Sequence, residues 1–145
     1  MNRPHGNTPA APTISDSDLR EIICGDPVKS AKLTVEKAQA YGRYLKDTDL
    51  KAAQIRGIFS HVRQLEMNWP LNEVDPQFSK QALRDLTLLK PKLAYQVQRV
   101  KAVQPLAELI GRCIDQVGDS RVNFQRFVDF FEAILAYHKA EGGSE

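Results

Sequence analysis

The stretch from Ser120 to Ala140 constrains this chain most. At 100° per residue, Phe124, Phe127, Val128, Phe131 and Leu135 fall on one face of a helix. Phe130, Ala133 and Tyr137 lie nearly opposite. A helix that is apolar on two sides must be wedged between other elements or shared with a partner. Two arrangements answer that demand: a central helix in a compact bundle, or a subunit interface. Ser120 or Asn123 caps this helix, and Gly142-Gly143 releases a short flexible tail over 142–145.

The rest of the chain reads as helices of one polar and one apolar face. Met1 to Thr13 carries Pro4, Pro9 and Pro12 among polar and small residues, the composition of a disordered tail. Ser15 and Asp18 form a capping-box variant that opens a short helix with Leu19, Ile22 and Ile23 on its apolar edge. Gly25 is suited to ending it in the left-handed conformation. Asp26-Pro27 is an N-cap and first-turn proline for a helix to about Lys46. Leu33, Val35, Ala38, Tyr41 and Leu45 supply its inner face, and Gly42 weakens it mildly. Thr48 is the expected cap of the third helix, with Asp49 in its first turn. Ile55, Ile58, Phe59, Val62 and Leu65 make an apolar stripe there.

Pro70 breaks that helix, and Trp69 reads as a plug into the core. Asp75-Pro76 repeats the cap-and-proline signal. Pro91 suits a first helical turn, and from Lys92 the spacing is helical again. Lys92, Tyr95, Gln96 and Arg99 share one face; Leu93, Val97 and Val100 share another that packs inward. Pro105 marks a fresh start, after which Leu106 to Val117 is strongly periodic. Cys113 sits in that stripe as a small core hydrophobe. No segment alternates as a strand does. The expectation is an all-α compact bundle of about five to six helices, a single domain over 14–141.

Composition narrows the function. Apolar residues make up 42% of the chain, enough for a core, and the net charge is only +2, so any nucleic-acid contact must come from local clustering. Cys24 and Cys113 are far apart, with no ligand-spaced histidine near either, which argues against zinc and against a disulfide framework. No run approaches a membrane span and no apolar signal segment opens the chain, so a cytoplasmic setting is expected. His5, His61 and His138 form no HExxH-type motif. There is no glycine-rich phosphate loop and no GxSxG, and acids are scattered singly. No enzyme activity, metal or cofactor is expected. Around Leu89–Lys101 four basic residues run without an interrupting acid and with an aromatic beside them. That pattern suits a phosphate backbone, although a solvated helix face has the same composition.

Three segments in order, Asp49–Phe59 (DLKAAQIRGIF), Leu88–Val100 (LLKPKLAYQVQRV) and Phe127–Gly143 (FVDFFEAILAYHKAEGG), resemble the small subunit of type III-A CRISPR effector complexes, the Csm complex. The shared features are Gln54-Ile55-Arg56, Lys90 to Tyr95, and Glu132-Ala133-Ile134 followed by Ala136 to Lys139. The resemblance implies a non-catalytic subunit that stacks in several copies and lines the groove holding guide RNA and target single-stranded RNA. Target cleavage and cyclic oligoadenylate synthesis would belong to other subunits of the complex. It places RNA-backbone contacts at Lys51, Gln54 and Arg56 on the third helix and at Lys90, Lys92 and Arg99 on the basic helix, with Arg63, Arg126 and Lys139 as further candidates. Self-association as a filament or dimer is expected. Two other readings stand beside it. A DNA-binding helix-turn-helix regulator would need polar base-reading residues on a helix closely following a short turn. A helical adaptor without nucleic acid would use the double-sided helix as its surface.

Overall fold

The structure is a computed structural model that describes residues 10–69 and 76–145, with side chains described from residue 80 onward in the second stretch. The expected tail over 1–13 lies outside the described residues except for 10–13, and so do the Pro70 break and the Asp75 cap. Seven α-helices and one 3₁₀ turn make up the described chain: α1 (Asp16–Cys24), α2 (Pro27–Asp47), α3 (Ala52–Asn68), α4 (Pro76–Thr87), α5 (Leu89–Arg99), the turn Lys101–Val103, α6 (Gln104–Val117) and α7 (Arg121–Ala140). Only Leu88 parts α4 from α5. Among the described residues there is no strand.

Local capping chemistry sets several of the boundaries. Ser15 Oγ accepts from the Asp18 N–H at 3.0 Å, and the Asp18 carboxylate accepts from the Ser15 N–H at 3.4 Å, which completes the capping box of α1. Asp26 accepts from the N–H groups of Val28 and Lys29 at 3.1 and 3.0 Å, with Pro27 in the first turn of α2. Ser120 caps α7 through the Asn123 N–H at 3.2 Å.

Three local readings need correction. Gly25 closes α1 in an extended conformation, φ −87°, because the chain must immediately present Asp26 as the next cap. Thr48 does not open α3. It closes α2, with its N–H and its Oγ1 both donating to the Leu45 carbonyl, at 3.2 and 2.8 Å. The unsatisfied carbonyls at the end of a helix compete for the hydroxyl that a following helix would need. Asp49 then adopts φ +65°, and α3 begins only at Ala52. Val35, assigned inward, is 50% exposed, since it lies at the edge of the α2 stripe.

α7 is the central helix. It packs against α1, α2, α3 and α6, which explains its two apolar faces. Phe124, Phe127, Phe130 and Phe131 are all fully buried, and burying each contributes about 1.5–3 kcal/mol relative to exposure. Trp69 stacks on Phe124 with centroids 4.7 Å apart, and Phe59 meets Phe131 edge-on at 4.9 Å. Cys113 is buried on α6, and burial pushes its thiol up to about 12.

The α2–α7 contact turns on Gly42. A Cβ at this position would lie 2.7 Å from the His138 amide nitrogen and 2.8 Å from Tyr137 Cβ. The glycine read as a weakness is what lets two helix backbones touch. His138, fully buried beside it, hydrogen-bonds through Nε2 to the Leu50 carbonyl at 2.7 Å and pins the α2–α3 corner to α7.

Candidate nucleic-acid interface

The apolar stripes of α3 and α5 turn inward and leave their basic residues exposed. Leu93 of α5 is buried and Val97 and Val100 are half-buried, so the opposite face, with Lys92, Tyr95 and Arg99, is turned outward. Ile55, Ile58, Phe59 and Val62 anchor α3, leaving Arg56 and Arg63 exposed on its flank. Between the helices lies a cleft of about 160 Å³ lined by Gln54, Gly57 and Ile58 of α3, by Gln96 of α5, and by Val100 and Val103. Gly57 meets nothing here: a Cβ built on it has no neighbour within 4 Å.

The cations of α3 and α5 differ in their company. Lys92 makes no ion pair with any described residue. The Arg99 guanidinium sits 5.9 Å from the centroid of the Tyr95 ring, and Tyr95 is itself 63% exposed. An exposed aromatic with an arginine over its face is a platform on which a base can stack while the charge meets a phosphate. Lys90 lies apart from this pair. It reaches across to Asp115 of α6 at 2.5 Å, on the rim of a second groove of about 570 Å³ floored by Leu93, Ala94, Val97 and Ala107. Lys90 and Lys92 are two residues apart and therefore leave the helix about 200° from one another.

Around the start of α3, Lys51 is the N-cap and is exposed. Gln54 Oε1 accepts from the Lys51 N–H at 3.0 Å, so its carbonyl is spent on capping and only its amide N–H groups remain to face the cleft. Arg56 donates to Glu145 Oε1 at 2.7 Å, and Lys139 of α7 donates to the other Glu145 oxygen. The two hydrogen bonds, that from Lys139 first and that from Arg56 second, hold the Glu145 carboxyl down to about 2. Lys51, Gln54, Arg56 and Lys139 are thus gathered at one end of α3. Arg63, on the same flank, is engaged with Glu66 at 2.7 Å and lies 5.6 Å from the Phe59 centroid. Arg126 is built into the scaffold instead: its guanidinium donates to the Gly25 carbonyl at the α1–α2 corner, in a cleft with Pro27, Ser30 and Val35.

The sequence reading missed the segment that follows α7. Residues 142–145, expected as a flexible tail, are hydrogen-bonded. Gly143 N–H donates to the His138 carbonyl at 2.8 Å, and the Ser144 and Glu145 carbonyls accept from the Ala52 and Ala53 N–H groups at 2.8 and 3.2 Å. These are orphan donors of the first turn of α3, which no local side chain caps. No periodicity foretells a pairing across 89 residues.

Among the described residues, no three His, Cys, Asp or Glu side chains gather as a metal site would require. His61 is exposed on α3, far in character from the buried His138. No helix among the described residues is long and apolar enough to cross a membrane.

The Csm2 Type III-A family model matches residues 28–144. Neither the curated proteins nor the solved structures gave a match.

Proposed function

The chain belongs to the Csm2 Type III-A family, which makes it a subunit of the type III-A CRISPR complex that associates with the other Csm subunits, and from that premise we propose that it is a non-catalytic holder of guide and target RNA. The observation that carries this reading is the outward face of α5: Lys92 and Arg99, without a described carboxylate partner, beside exposed Tyr95 and the Gln54–Gln96 cleft. Such a face neutralises phosphates and offers a stacking surface, and it carries no fixed set of donors aimed at base edges. It grips backbone and is indifferent to sequence. Lys51, Arg56 and Lys139 extend the same positive ground around the start of α3, with Arg63 further along that helix.

The protein-facing surfaces in this reading are different ones. The α5–α6 groove, with an apolar floor and the charged rim Lys90, Glu108, Arg112 and Asp115, suits a protein neighbour in the complex, and self-association into a filament would use such a face. α7, the helix that an adaptor would present, is consumed by the core. In this reading the subunit has no enzymatic role and works on RNA in the cytoplasm.

The test is a titration of the chain into labelled single-stranded RNAs of unrelated sequence, by fluorescence anisotropy at several salt concentrations, with duplex DNA alongside. Salt-sensitive binding that ignores sequence and is weakened by Lys92→Glu with Arg99→Glu supports the proposal. A preference for duplex DNA returns the regulator reading. Loss of complex assembly with RNA binding intact would move the α5 face to a protein partner.

A further inference from the structure

The carboxylate of Glu145 occupies the place that the RNA-holding reading gives to a phosphate. Its two oxygens are gripped by Arg56 and Lys139, one each, and the backbone behind it lies along the first turn of α3. Lys139 further donates to the Gly143 carbonyl at 3.3 Å. The approach is shaped for this. Gly143 is buried against the His138 ring, where a Cβ would come within 2.2 Å of Cε1, so the chain passes close under the imidazole and turns back from α7 onto α3. The anchor is buried and fixed, whereas the carboxylate end is open: the side chains of Glu145, Arg56 and Lys139 are 65%, 49% and 41% exposed. An ion pair that wet is weak, and a strand that brings several phosphates at once can displace it.

Resting on the RNA-holding reading, we propose that Gly143–Glu145 is an internal competitor for RNA, a strap whose carboxylate fills the Arg56–Lys139 seat until a phosphate of the bound strand displaces it. The strap sets a threshold. Stray anions and short contacts meet a seat already satisfied, while a strand held at once by Lys92 and Arg99 brings its phosphates close enough to exchange. The buried Gly143, whose N–H donates to the His138 carbonyl at 2.8 Å, keeps the released strap near for return.

The test uses the full chain and a labelled oligouridine at low salt. Glu145→Gln keeps the shape and removes the charge, and it is expected to tighten RNA binding about threefold to tenfold, the effect of relieving an exposed ion pair or two. Arg56→Gln with Lys139→Gln is expected to weaken binding, and in that background Glu145→Gln is expected to add nothing. RNA should also speed hydrogen exchange at the Ala52 and Ala53 amides as the strap leaves. Wild-type affinity in Glu145→Gln, with Lys92→Glu and Arg99→Glu still weakening the complex, overturns the strap and leaves RNA holding intact. Amides that stay protected under saturating RNA overturn it as well. If neither the chain, nor Glu145→Gln, nor the assembled complex binds RNA in a way that any of these charges affects, the RNA-holding reading falls and the strap with it.

Discussion

Two helix seams in this molecule each contain a glycine, and they are built to opposite ends. In the α2–α7 seam Gly42 lets backbone meet backbone, with His138 buried beside it and bonded to Leu50. In the α3–α5 seam Gly57 faces open space, and Gln54 and Gln96 look across a cleft. One seam is closed by contact and stabilises the fold. The other is held open, lined by Gln54, Gln96 and Val100, with Lys92 and Arg99 exposed on the outward face of α5. The residue type is the same in both, so it is the neighbours that assign the role. A seam that a bundle leaves unfilled is a place where a ligand can complete the packing.

That contrast can be broken most forcefully at Gly42. Gly42→Ala is expected to cost about 1–3 kcal/mol, because the new methyl group meets α7 backbone that cannot step aside. Thermal or urea unfolding reads the loss, and a neutral result would mean that the two helices are not in contact there. Next in size is the charge reversal of Lys92 and Arg99. It is expected to leave stability within about 0.5 kcal/mol. At the same time it should weaken RNA binding by about tenfold or more and flatten the salt dependence by about two phosphate contacts. A stability loss as large as that of Gly42→Ala would erase the distinction between the seams. Gly57→Ala is smaller and opposite in sign: with no neighbour to strike, the methyl group should stabilise the helix by about 0.5–1 kcal/mol in the same unfolding experiment.

The smallest effect is a titration. Glu145 is held near 2 against an ordinary 4.5. Its folded value is depressed, so the interaction is fully present above 4.5 and is lost as pH falls through about 2. The amide signals of Gly143 and Ser144 should therefore shift with a midpoint well below 4.5, and added salt should raise that midpoint by screening an exposed pair. A midpoint at the ordinary value would detach Glu145 from Arg56 and Lys139.

Much of the fold was legible because its causes are local. The Ser15–Asp18 box, Asp26-Pro27, the Leu106–Val117 stripe and the two apolar faces of α7 each depend on residues within a few turns of one another, and periodicity exposes such relations. The faces of α7 left two arrangements open, and only the packing decided for a central helix. What could not be read is non-local. Thr48 reads as a cap, yet the carbonyls of α2 claim it first. Gly42 reads as a defect until α7 is laid against it. In the candidate site, the outward display of Lys92, Tyr95 and Arg99 followed from spacing, whereas the separation of Lys90 by Asp115 and the engagement of Arg126 with Gly25 required the tertiary structure. The grip of Glu145 on Arg56 and Lys139 was invisible for the same reason.

The place of α7 in the chain also bears on how the protein comes into being. Every helix it packs against, α1, α2, α3 and α6, is synthesised before it. Until Phe124 through Phe131 leave the ribosome, those four helices lack the one element that all of them pack against, although α1 can already meet α2 and α6. The closing contacts span most of the sequence, as that between Leu50 and His138 does across 88 residues. Assembly is therefore a late, long-range event that local helix formation cannot complete. A message truncated within α7 would yield helices without a fold, material for proteases and chaperones rather than a smaller working subunit.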